Sequence, residues 1–93
     1  MTIKLVTKSI TAQNQFSDRA ILRGYFNFSL SGTWVATVTV QRSFDNGASW
    51  FDVKTFQSTT EEYGFEPESN VLYMFGVKTG EYTSGTIVGR LSQ

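Results

Sequence analysis

Over residues 33–43 apolar and polar positions alternate almost without a break. Trp34, Ala36, Val38 and Val40 share one face; Thr37, Thr39 and Gln41 share the other, with Val35. A period of two is the signature of a half-buried strand. The same period recurs along the chain. In residues 20–30, Phe26, Phe28 and Leu30 oppose Tyr25, Asn27 and Ser29, and Gly24 is placed for a bulge. In residues 50–57, Phe51, Val53 and Thr55 alternate with Trp50, Asp52 and Lys54. In residues 85–92, Ile87 and Leu91 oppose Val88 and Arg90. Residues 3–10 alternate weakly and read as a first strand, at an edge or as an arm. Residues 71–79 differ: Val71, Tyr73, Phe75 and Val77 line one face while Leu72 and Met74 make the other apolar too. Such a strand is central to a sandwich or covered by a partner.

Turns separate these runs. Residues 11–19 read as a loop whose Phe16 plugs one end of the core, and Ser31-Gly32 reads as a turn. Residues 58–62 are a polar link. Tyr63 to Glu66 is a short strand stopped by Pro67, followed by a turn at Glu68-Ser69-Asn70. The strongest turn is Ser43-Phe44-Asp45-Asn46-Gly47-Ala48-Ser49-Trp50. Asn-Gly supplies the positive φ of a tight hairpin, and Asp45 can fold back onto backbone N–H groups. Ser43 and Ser49 add hydroxyl bonds across the neck, and Trp50 can lie over the turn as a lid. If Asn46-Gly47 is a two-residue loop, Val40 faces Val53 and Gln41 faces Asp52; a longer or bulged loop slips this register. No window has helical periodicity. The pattern predicts an all-β fold: a single antiparallel β-sandwich of six to seven strands, immunoglobulin-like or jelly-roll-like. Residues 1–93 make one domain, with 1–10 an N-terminal strand or docking arm.

Composition narrows the functions. A chain of 93 residues hides roughly 60–65% of its unfolded surface, so sheet extension or oligomerisation would stabilise it. Zero net charge argues against nucleic acid and against a polybasic membrane contact. The chain has no Cys and no His. Disulfides and thiolate metal sites are therefore excluded, and the commonest general base is missing. Residues 1–10 hold no long apolar run and do not read as a signal peptide or a membrane helix. The expectation is a protein without enzymatic activity, cofactor or metal, made in a cytoplasm.

Two resemblances add to this. Ser43-x-Asp45-x-Gly47-x-Ser49-Trp50 is similar to the Asp-box, Ser/Thr-x-Asp-x-Gly-x-Thr/Ser-Trp, of sialidase-like propellers and scattered other β-proteins. It occurs once over eight residues, so it implies hairpin geometry and no sialidase activity. Residues 29–92 resemble a small virion protein of tailed bacteriophages. The resemblance rests on Ser-Gly-Thr-Trp-Val-Ala-Thr-Val-Thr-Val at 31–40, Gln-Arg-Ser-Phe-Asp-Asn-Gly-Ala-Ser-Trp at 41–50 and Glu-Tyr-Thr-Ser-Gly-Thr-Ile-Val-Gly-Arg-Leu-Ser-Gln at 81–93. It implies a structural role in the virion: capsid decoration or cement, or a tail or connector accessory. The implied partners are a major capsid or tail/connector protein and other copies of the chain.

Asp45, Asn46 and Asp52 lack the alternating carboxylates of a calcium loop and read as turn stabilisers. Glu61, Glu62, Glu66 and Glu68 read as a solvated acidic run rather than a glycosidase pair, with docking to a basic surface as the alternative. Trp34, Trp50, Tyr25, Tyr63 and Tyr82 read first as packing and second as a sugar-stacking platform. The second functional reading is accordingly a carbohydrate-binding β-sandwich that uses exposed aromatics in host attachment. Arg42 and Arg90 read as surface ion-pair residues near strand ends. Lys4 and Lys8 protect an edge strand. The candidate partner contacts are Ile3, Leu5, Leu72 and Met74.

Overall fold

The computed structural model describes residues 4–93. The described chain is all-β and antiparallel, and it packs as a compact sandwich. Its strands are β1 (Leu5–Ile10), β2 (Gln15–Phe16), β3 (Ala20–Ser31), β4 (Trp34–Ala36), β5 (Val38–Ser43), β6 (Phe51–Phe56), β7 (Thr60–Val77), β8 (Tyr82–Gly85) and β9 (Ile87–Ser92). Seven of them form one sheet in the order β1-β9-β3-β7-β5-β6, with β2 also on β7; β4 and β8 form a separate pair.

The sandwich arises because β3 and β7 are long enough to serve two layers. Residues 24–30 of β3 pair with 60–66 of β7 and, on the other side, with β9, which carries β1. Residues 71–77 of β7 pair with β5 and β2, and β5 carries β6. Between the two halves, Leu22 faces Val71 and Gly24 faces Glu66. Residues 67–70 therefore bulge out opposite Arg23 alone. This excursion shifts the inward positions of β7 from even to odd numbers, so Glu66 and then Val71, Tyr73, Phe75 and Val77 all point inside. Phe28 meets Phe75 edge-on at 5.4 Å, and Phe26 meets Tyr73 at 4.8 Å. Glycines make room for these rings: a methyl group on Gly64 would stand 2.7 Å from Phe26, and one on Gly89 would collide with Phe75.

Several sequence expectations change. Pro67 does not stop a strand. It sits in the excursion, outside the ladder with β3, where no backbone donor is needed. β7 thus continues through the predicted turn, and it begins at Thr60, inside the predicted polar link. The hairpin loop spans residues 44–50 rather than two residues, and β6 bulges at Val53. Gln41 still faces Asp52, but Val40 faces Lys54 instead of Val53. The 33–43 run is broken at Thr37 into β4 and β5, and the 11–19 loop contains β2. Phe16 is half-buried against Gly76 rather than plugging the core.

Candidate functional site

The Asp-box hairpin closes on itself. Ser43 is fully buried; its Oγ accepts the Gly47 N–H at 2.8 Å and donates to Asp45 Oδ1 at 2.8 Å. Asp45 Oδ1 also accepts the Ser49 N–H at 2.8 Å, and Oδ2 accepts the Ser49 hydroxyl at 2.5 Å. The Ser49 hydroxyl, the Ser49 N–H and then Ser43 lower the Asp45 carboxyl to about 2. Asn46 and Gly47 both adopt positive φ, 59° and 92°. Trp50 is half-buried, with the Arg19 guanidinium 5.5 Å from its ring centroid. Both carboxylate oxygens of Asp45 face the loop's own donors, and Asp52 accepts from Gln41 and Lys78 at 2.8 and 2.6 Å. The cluster builds a corner and offers no open ligand set.

The acidic run separates into different roles. Glu66 is only 1% exposed. It accepts the Tyr73 hydroxyl at 2.7 Å, the Arg42 guanidinium at 2.8 Å and the Glu68 N–H at 3.1 Å. Burial opposes its ionisation most, but the bonds from Tyr73, Glu68 and Arg42 together outweigh burial and hold its pKa below the ordinary carboxylate value. Arg42 is thus tied to a buried carboxylate, not to a surface one, and the trio fastens β5 to the bend of β7. Glu62 instead bridges to Lys54 at 2.8 Å, between the free edges of β7 and β6. Residue types alone did not single out Glu66, because its partners lie 7 and 24 positions away.

The aromatic residues also divide. Trp34 and Tyr82 pack against the core from the β4–β8 pair. Two exposed groups remain. On the flank of β6, Phe44 and Phe51 are exposed with ring centroids 6.2 Å apart, and Arg42 lies 4.8 Å from the Phe44 centroid. Exposed Val53, farther along β6, borders an apolar cleft of about 80 Å³ lined also by Phe26, Phe28, Val40, Phe56 and Tyr63, with Lys54 and Glu62 at its edge. On the outer face of the other layer, Tyr25 stands 4.9 Å from Phe65 and 6.1 Å from Tyr63, the rings tilted by 58° and 56°. Beside Tyr63 lies a hollow of about 360 Å³.

Of the candidate contacts, Leu72 is 7% exposed and Met74 half-buried, so neither offers much surface. Leu5 is exposed on β1, the edge strand, and Ile3 lies outside the described residues. Comparison with protein-family models finds no match, and neither curated proteins nor solved structures match the chain.

Proposed function

We propose that the chain is a non-enzymatic structural protein of a tailed-bacteriophage virion, docking by protein–protein contact on the capsid, as decoration or cement, or on the tail or connector. The observation that carries this reading is the exposed Phe44–Phe51 ring pair on the flank of β6, with exposed Val53 farther along the same strand at the mouth of an apolar cleft. Contiguous exposed apolar surface beside an arginine is typical of protein contacts rather than of free solvent faces. The adjoining charges on β6 are already satisfied within the chain, Asp52 by Lys78 and Lys54 by Glu62. A partner covering this flank would therefore bury little unpaired charge. Many copies on a symmetric particle would convert modest affinity at each site into firm attachment.

The test is cosedimentation of the purified chain with particles that lack it. Binding is expected for the natural chain and a loss of at least tenfold for Phe51→Ser, which changes an exposed side chain. Failure of the natural chain to bind, or undiminished binding by Phe51→Ser with Phe44→Ser, overturns the reading.

A further inference from the structure

We infer that the outer face of the β9-β3-β7 layer is a binding site for a neutral oligosaccharide; it adjoins the cleft at Val53 through Phe28, Glu62 and Tyr63 and does not include Phe44 or Phe51. Registers place its parts. Arg90 faces Ser29, and Ser29 faces Glu61, so one row across three strands reads cation, hydroxyl, carboxylate. The next row reads Ser92, Asn27, Tyr63. Neighbouring strands lie about 4.8 Å apart, so Arg90 and Glu61 stand roughly 10 Å apart across the row. The short side chains of Ser29, Asn27 and Ser92 make a floor between these walls. The resulting hollow of about 360 Å³ lies within the roughly 300–1,000 Å³ span of small-molecule sites.

The chemistry fits a polyol. Among the described residues, neither Arg90 nor Glu61 takes part in an ion pair. Guanidinium, carboxylate, amide and hydroxyl together present donors and acceptors in one concave patch, as sugar hydroxyls require. Glu62 also lines the hollow but is paired with Lys54 at 2.8 Å, so Arg90 and Glu61 leave no excess positive charge to attract an acidic chain. Tyr63, 75% exposed, supplies an apolar ring face at the rim, with a hydroxyl at its tip. Tyr25 and Phe65 extend that rim along the sheet. Their mutual tilt lets successive sugar units meet rings of different orientation, as a twisted oligosaccharide would present them. The half-buried Trp34 and Trp50 take no part.

The experiment is a glycan array carrying neutral hexose, N-acetylhexosamine, sialylated and uronic-acid oligosaccharides, followed by NMR titration of the full chain with maltohexaose, chitohexaose and the strongest array hit. The expected result is binding of a neutral oligosaccharide that shifts the amides of Asn27, Ser29, Tyr63 and Arg90 and spares those of Trp34 and Trp50. Tyr63→Ala and Asn27→Ala should each weaken it at least tenfold at unchanged melting temperature, while Phe51→Ser leaves it intact. No binding at millimolar concentration overturns the inference. So does binding confined to acidic glycans, or binding that survives both Tyr63→Ala and Asn27→Ala.

Discussion

The hydroxyl of Tyr73 donates a 2.7 Å hydrogen bond to Oε1 of Glu66, across the bend by which β7 passes from one layer to the other. The same oxygen accepts Arg42 of β5. The bend is thus held by a carboxylate with three donors rather than by apolar contact alone. Removing the carboxylate strands the buried Tyr73 hydroxyl and leaves the partly exposed Arg42 without its partner. Glu66→Ala is expected to cost about 3 kcal/mol, near the low end for breaking a buried pair, because Arg42 stays partly open to water. Tyr73→Phe loses one charge-assisted bond and should cost about 1.5–3 kcal/mol. Urea denaturation midpoints measure both.

The same groups set the response to pH. Glu66 and Asp45 both have pKa values below the ordinary carboxylate range, Asp45 at about 2. A carboxyl lowered by folding contributes stability that is complete above its unfolded value, about 4, and is lost as pH falls through the folded value. Stability should therefore decline between about pH 4 and 2. At the alkaline end the sign reverses: burial, then the bond to Glu66, raise the Tyr73 phenol to about 12. Its contribution is complete below about pH 10 and disappears as pH rises toward 12. Melting temperature against pH should show both limbs. Asp45→Asn should flatten the acid limb and Tyr73→Phe the alkaline one.

The hairpin corner gives a prediction of backbone origin. Gly47 has φ +92°, and a methyl group there would stand 2.5 Å from the Arg19 guanidinium. Gly47→Ala should destabilise the fold by about 1–3 kcal/mol through strain at a left-handed position. Ser43→Ala, which deprives the Gly47 N–H of its acceptor, should cost about 1–2 kcal/mol. Hydrogen exchange should report the loss first at the amides of Gly47 and Ser49.

Much of this architecture is written in short-range pattern. The alternation of β3, β5 and β9 names the inward residues Phe26, Phe28, Val38, Val40, Ile87 and Leu91, all of which are buried. Long-range features are another matter. Nothing in residue type distinguishes Glu66 from Glu61 or Glu68; only the four-residue excursion at 67–70, which shifts the inward positions from even to odd, brings Tyr73 inward beside it. Likewise Pro67 signals a stop, yet a proline outside the ladder ends nothing. The hollow beside Tyr63 draws on three strands whose order no spacing in the chain reveals.

Gly89 shows how narrowly the layers fit. It lies on β9 beneath the Phe75 ring, where any Cβ would collide. Gly89→Ala should overpack the core and cost about 1–3 kcal/mol. Combining it with Phe75→Leu should recover part of that loss, because the smaller side chain vacates the contested volume. A double-mutant cycle with a coupling below about 0.5 kcal/mol would show that the two positions do not compete.

Thr39 offers a test of opposite sign. It is 1% exposed, between Gly76 of β7 and Thr55 of β6, and its hydroxyl has no hydrogen-bond partner among the described residues. A buried hydroxyl without a partner costs about 1–3 kcal/mol relative to a hydroxyl in water. Valine has the same branched shape and strong strand preference, and replaces the hydroxyl by a methyl group. Thr39→Val should therefore raise stability by about 1 kcal/mol, which for a domain of this size is a rise of roughly 4–8 °C in melting temperature. Thr39→Ser keeps the polar atom and loses the methyl group, so it should lower stability. If Thr39→Val instead melts earlier than the natural chain, the hydroxyl is bonded in solution and the strand pair β5–β7 depends on that bond.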